Sequence, residues 1–275
     1  MSKKLEIDPA GFEAHFAKEP FAVRHNLVDH ELLTVERVAQ LADFLPDASV
    51  EHNLGNVDKI VAGGEAPKLD QTPGEVARGI ETNRSWMVLK NIEQDPAYKA
   101  LLDETLGEVS QWSDLEGGQT LREAFIFLTA PNSMTPAHVD PEHNFLLQIR
   151  GDKVMHTGDF PDEETKLATL EAFHSGAHRN IDWEPIAHRP FPLAPGDGVY
   201  MPVAKPHWVT SGPEVSVSLS ITFRTPATER AARLWKTNNR LRKLKLAPRA
   251  PGRSERADRV KDTAARALSK LRRAS

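Results

Sequence analysis

The chain has 275 residues, 39% of them hydrophobic and 27% charged, an ordinary globular composition long enough to bury a core and without an apolar run that could span a bilayer. It contains no cysteine, which excludes disulfides, thiolate metal sites and thiol catalysis, so any metal must be held by His, Asp or Glu. The net charge of −4 divides unevenly: residues 230–275 carry 16 Lys/Arg against 3 Asp/Glu, a net of +13, which leaves −17 on the rest and argues against a nucleic-acid-binding body.

In chain order, Asp8-Pro9 marks a helix start, a capping carboxylate followed by a first-turn proline. Phe21–Arg24 and Ser85–Leu89 read as short strands. Thr34 caps a helix with Val35, Val38, Leu41 and Leu45 on one face, and Asp95-Pro96 opens another in which Tyr98, Leu101, Leu102, Leu106, Val109 and Trp112 recur at helical spacing. Residues 1–118 are therefore expected to be an α/β elaboration packing on a strand-rich region C-terminal to it.

From Thr120 the texture changes to short strands punctuated by Pro, Gly and Asp: Leu121–Thr129, Phe145–Ile149, Lys153–Thr157, Gly198–Met201 and Val215–Phe223. The last alternates strictly, with Val215, Val217, Leu219, Ile221 and Phe223 on one side and Ser216, Ser218, Ser220 and Thr222 on the other, the mark of a strand with one apolar and one polar face. Many such strands favour a barrel or jelly roll over residues 119–226. Residues 227–275 are expected to form a basic helical segment. Leu234, Leu241 and Leu244 share a stripe there, Pro248 and Pro251-Gly252 interrupt it, and Ser254 caps a last helix. The apolar side of that helix (Val260, Ala264, Leu268, Leu271) is so thin that it is stable only if it docks.

The chemistry concentrates in two stretches. In Thr135-Pro-Ala-His138-Val-Asp140, residues two apart on an extended chain point the same way, so His138 and Asp140 can share a metal inside a barrel. Such a pair is common by chance and needs a third ligand. In Pro195-Gly196-Asp197 a tight turn precedes a strand that Pro202 ends, and His207 comes after it, able to reach back across the barrel. Two imidazoles and one carboxylate on one face of an ion leave the opposite face open, the arrangement of non-haem Fe(II) oxygenases. His143 and His156 lie near the first stretch and are expected to be exposed or to stand just outside the ligand set. The loop between Phe160 and Pro190, with His174, His178, Arg179 and His188, is expected at the entrance.

These stretches resemble the two cupin motifs, and more narrowly the JmjC-type branch of Fe(II)/2-oxoglutarate oxygenases that includes asparaginyl and lysyl protein hydroxylases. Asn144 is followed by Gly151 as in the first motif, and Gly196, Pro202 and His207 keep the spacing of the second. Thr135, Asn144 and Lys153 stand at the family's polar positions relative to His138 and Asp140. The resemblance covers roughly Leu121–Phe223.

It implies a mainly β fold with flanking helices: a double-stranded β-helix (jelly-roll or cupin) barrel with an N-terminal α/β elaboration and C-terminal helices. It also implies Fe(II) on His138, Asp140 and His207, and 2-oxoglutarate as cosubstrate. Lys153, reinforced by the Thr135 hydroxyl, would hold the distal carboxylate by a charge-assisted hydrogen bond, and Asn144 would bond the chelating carboxylate or orient the ligands. Thr222 stands where some members carry an asparagine. The tyrosine that often assists the lysine has no counterpart in Tyr98 or Tyr200, and Phe125 or Phe127 is expected to line the pocket instead. The implied activity is hydroxylation of a peptide, amino acid or small metabolite with release of succinate and CO2, and the absence of cysteine makes the cytoplasm the expected compartment. The family's homodimerisation through post-barrel helices would fall to Leu234, Trp235, Leu241 and Leu244. Two other readings stay open: a metal-dependent cupin enzyme that does not use 2-oxoglutarate, and a non-catalytic binding protein.

Overall fold

The computed structural model describes residues 3–54, 59, 71–111 and 118–274. Its elements begin with β1 (Leu5–Glu6), α1 (Pro9–His15), β2 (Phe21–His25), α2 (Val35–Phe44), β3 (Val50–Leu54), α3 (Pro73–Arg78), β4 (Ser85–Lys90) and α4 (Pro96–Val109). Next come β5 (Thr120–Thr129), β6 (Met134–His138), β7 (His143–Arg150), β8 (Lys153–Asp159), α5 (Glu163–Phe173) and β9 (Ile186–Leu193). The last are β10 (Asp197–Met201), β11 (His207–Ser211), β12 (Ser216–Arg224), α6 (Pro226–Lys243) and α7 (Glu255–Ala274).

The early helices start where side-chain chemistry predicts. Asp8 accepts from the Gly11 N–H, Thr34 from Arg37 and Asp95 from Ala97, each satisfying a donor that the first helical turn leaves unpaired. Trp112 lies outside the described residues.

All strand pairing is antiparallel, in two sheets. The larger runs β1-β2-β10-β7-β12-β5-β4-β3 and the smaller β6-β11-β8-β9. Their arrangement is the jelly-roll barrel expected. Gly151 makes the turn between β7 and β8 with φ +65°, and a Cβ there would sit 2.5 Å from the Val215 carbonyl oxygen, so only glycine fits.

The main core lies on the side of the large sheet away from the small one. Leu147, Leu219, Ile221 and Phe223 pack there against Phe12, Leu41, Val76 and Leu101 of the four N-terminal helices. Each such burial stabilises by roughly 1.5–3 kcal/mol. A smaller cluster between the sheets joins Leu146, Val199 and Met201 to Met155, Leu193 and Val209. The apolar side of β12 therefore faces outward onto helices, and its serines face the barrel interior.

The C-terminal helices depart from expectation. Leu234 is spent inside its own chain, while Leu244 is 70% exposed. The final helix docks on α6 through its polar side: Asp262 accepts from Arg233 Nε at 2.7 Å, and Lys261 Nζ donates to Asn238 Oδ1 at 3.0 Å. Val260 and Leu268 of the expected apolar stripe are 66% and 52% exposed, and the Leu271 side chain lies outside the description. Buried polar groups at this seam, Asp262 and Asn238 among them, stand where apolar residues would otherwise dock the helix. Among the described residues no helix is long and apolar enough to cross a membrane.

Candidate metal centre

His138 ends β6, and the extended chain beyond it turns Asp140 to the same side, while Ala137 and Val139 point oppositely into a cluster with Ile181 and Trp208. His207 opens β11 directly across from His138 in the antiparallel register, and the pairing slips by a bulge between His207 and Val209. Residues distant in sequence thus meet: Asp140 Oδ2 lies 3.5 Å from His138 Nε2 and 3.4 Å from His207 Nε2.

The three ligand atoms fall within 4.8 Å of one another, the one such His/Asp/Glu group among the described residues. Bonds of about 2.1 Å at right angles place adjacent ligand atoms about 3.0 Å apart, so the spacing suits an ion bound on one octahedral face. Each imidazole is also held in the correct tautomer. His138 Nδ1 donates to the Pro136 carbonyl at 2.7 Å and His207 Nδ1 to the Lys205 carbonyl at 2.8 Å, which leaves both Nε2 lone pairs for a metal. Burial, followed by the neighbouring His207 ring and the Arg179 cation, lowers His138 to about 4, so it is neutral as a ligand must be. Burial alone would raise Asp140, but the two imidazoles and Arg179 outweigh it and hold the carboxyl well below its usual range.

One cavity is walled by the triad together with Thr135, Asn144 and Lys153. Its apolar wall is Phe127, Leu146, Met155 and Val209. Lys153 is 5% exposed, and its ammonium donates to the Ser218 hydroxyl at 2.9 Å. Among the described residues no carboxylate stands within ion-pair distance of it, and burial pushes it down to about 7. Ser218 in turn donates to Gln148 Oε1, and the Gln148 amide is anchored on Ser216 and the Gly151 carbonyl. Asn144 accepts from Ser220 through its Oδ1 at 2.8 Å.

Other sequence candidates lie elsewhere. Thr222 pairs with Asn144 across the ladder, but its hydroxyl donates to the Glu123 carbonyl, outside the cavity wall. His143 is neither exposed nor beside the ligands, contrary to expectation; β7 turns it to the opposite face from Asn144. There it is buried, 5.0 Å from the Phe16 ring and bonded to the Tyr200 hydroxyl. His156 sits on the outer face of the small sheet, bonded to His188 and Thr210. Tyr98 bonds the Leu32 carbonyl, so of the aromatic candidates only Phe127 reaches the wall. Between Phe160 and Pro190 the chain forms α5 as well as loop, and Arg179 reaches the cavity to donate to Asp140 Oδ1 at 3.2 Å. Sequence reasoning missed the serine–glutamine support behind Lys153, although the polar side of β12 carries its signal.

Residues 107–231 match the model of the JmjC domain family. A search of curated proteins finds no match. Among solved structures, the chain is similar to YcfD of Escherichia coli, with TM-score 0.58 and 18% identity over 98% of this chain and 69% of that one. Structures of YcfD described as a ribosomal oxygenase, in complex with cobalt and succinic acid or with cobalt and 2-oxoglutarate, give TM-scores of 0.55 and 0.54 at 18% and 16% identity, each covering 98% of this chain and 68% of that one. At such identities the likeness is one of fold.

Proposed function

We propose that the JmjC domain at residues 107–231 works as an Fe(II)- and 2-oxoglutarate-dependent oxygenase, with His138, Asp140 and His207 holding the metal. The observation that carries the reading is Lys153. An ammonium buried without a counter-ion is costly, and the fold keeps one in the same cavity as the triad. A dicarboxylate whose keto-acid end chelates the metal supplies the missing charge. A cupin enzyme that does not use 2-oxoglutarate has no need of a cation there.

When bound, Fe(II) and 2-oxoglutarate supply the oxidative chemistry, releasing succinate and CO2 as one oxygen atom of O2 enters the substrate. The chain's residues do the rest. Lys153 holds the distal carboxylate, helped by Thr135 on the same wall, and Ser218 fixes the lysine's direction. Asn144, steadied by Ser220, offers its amide to the chelating carboxylate. Phe127, Leu146, Met155 and Val209 exclude water around both charges, which strengthens the ion pair. Among peptide, amino acid and small-metabolite substrates, likeness to a ribosomal oxygenase favours a peptide segment. The exposed Leu244, Val260 and Leu268 are the surface on which a homodimer would form.

The test is succinate formation from 2-oxoglutarate with Fe(II) and no added substrate. Uncoupled turnover is expected in the wild type, none in His138→Ala, and a raised 2-oxoglutarate requirement in Lys153→Ala. If Lys153→Ala kept wild-type affinity for 2-oxoglutarate, the cosubstrate assignment would be wrong even with iron bound.

A further inference from the structure

We propose that Arg179 is a positioning residue for the metal centre: its guanidinium captures Asp140 Oδ1 and so presents the carboxylate to the ion through Oδ2 alone. The inference rests on the metal-centre reading above and deepens it.

The two oxygens of Asp140 occupy different surroundings. Oδ2 faces both histidine Nε2 atoms at 3.5 and 3.4 Å, and Oδ1 turns away from them to Arg179 Nη1 at 3.2 Å. Among the described residues Arg179 is the one Lys/Arg within ion-pair distance of this carboxylate. An octahedral ion with two imidazoles and one carboxylate oxygen keeps three positions free. The keto-acid end of 2-oxoglutarate needs two and O2 the third. A carboxylate chelating through both oxygens would remove one of them, so something must hold the second oxygen back.

The backbone fixes Arg179 for that task. The Val139 N–H donates to the Arg179 carbonyl at 3.1 Å, and the Ile181 N–H donates to the Ala137 carbonyl at 3.0 Å. Asn180 and His138 form an isolated antiparallel bridge between them. Residues 179–181 therefore lie as a short extra strand against the segment that bears His138 and Asp140. Ile181 is buried with Ala137, Val139 and Trp208 on the far side. These anchors are backbone and apolar contacts, so they survive truncation of the Arg179 side chain. An exposed ion pair contributes little to stability. This one joins a cavity-lining guanidinium to a buried ligand, and outer partners of metal ligands commonly govern affinity by about 10- to 100-fold.

The experiment is Co(II) titration of the full chain without turnover, followed by calorimetry and by the visible d–d bands, which report carboxylate coordination. Arg179→Ala is expected to bind Co(II) with affinity changed about 10-fold or more from wild type, because Oδ1 is then free to join the ion and a neighbouring cation is gone. Its bands should be altered and its melting without metal unchanged. Arg179→Lys should recover part of both the affinity and the spectrum, because it returns a cation without the planar fork. Wild-type affinity and an unchanged spectrum in Arg179→Ala would overturn the proposal. Should that variant fail to fold, Arg179→Met keeps the aliphatic stem and decides by the same two readouts. If the wild type bound no Co(II), or His138→Ala bound it equally well, the metal-centre reading itself would fall. Loss of the Arg179 effect alone leaves that reading standing.

Discussion

The Lys153 end of the barrel cavity and the C-terminal helices both bury ionisable groups, and they treat them oppositely. In the helices each buried carboxylate meets a cation: Asp262 has Arg233 and Arg266, Asp258 has Lys261, and Glu171 of α5 receives Arg242 from α6 at 2.7 Å. In the cavity Lys153 has, among the described residues, the Ser218 hydroxyl and the Phe127 ring at 5.9 Å, and no carboxylate. Charges paired within the chain hold elements together. A charge left without a counter-ion weakens the protein by itself and is reserved for something that arrives from outside.

The largest effect that would break this contrast is on cosubstrate binding. Lys153→Met should cost about 3 kcal/mol, roughly a hundredfold, in 2-oxoglutarate affinity measured by calorimetry, since it truncates one partner of a buried charge pair. The same variant should leave the unliganded protein as stable as wild type or more so, because an apolar side chain replaces an uncompensated charge. Next comes Asp262→Ala, expected to lower stability by about 1 kcal/mol in denaturant titration, since Arg233 keeps Glu229 at 4.0 Å and Arg266 stays in solvent. Equal stability losses in the two variants would erase the distinction.

A smaller effect appears with pH. Burial lowers Lys153 to about 7, below its unfolded value near 10.5, so the folded state binds fewer protons between those two pH values. Its contribution to the stability of the unliganded protein is therefore most unfavourable below about pH 7 and is relieved as pH rises toward 10.5. Affinity for 2-oxoglutarate should run the other way, falling as pH rises above about 7 and Lys153 loses its proton. In Lys153→Met both pH trends should disappear. The smallest effect is expected from Thr222→Ala, whose hydroxyl is engaged by the Glu123 carbonyl. Its 2-oxoglutarate affinity should stay within about twofold of wild type, because Thr222 is not part of the cavity wall.

Much of the fold and the site is legible along the chain because the signals are local. Capping at Asp8, Thr34 and Asp95 depends on residues within one helical turn, and the positions of His138 and Asp140 on one side of a strand follow from its two-residue period. The alternation of β12 is equally plain. Which side faces the cavity is not, since a period defines two faces without saying what covers either. The same ambiguity sends His143 into the main core and Asn144 into the cavity. In the final helix the apolar residues suggest a docking side, and buried ion pairs place them outward instead.

Residue types and spacing alone determined many of the strands and helices, the absence of thiol chemistry, and the candidates His138, Asp140 and His207, and the family resemblance added Lys153. Tertiary structure decided that β11 lies beside β6, that Lys153 is left without a carboxylate among the described residues, and that Arg179 reaches Asp140. Those outcomes depend on which distant segments pack together. Packing minimises the free energy of the whole chain, and no local window of sequence contains that sum.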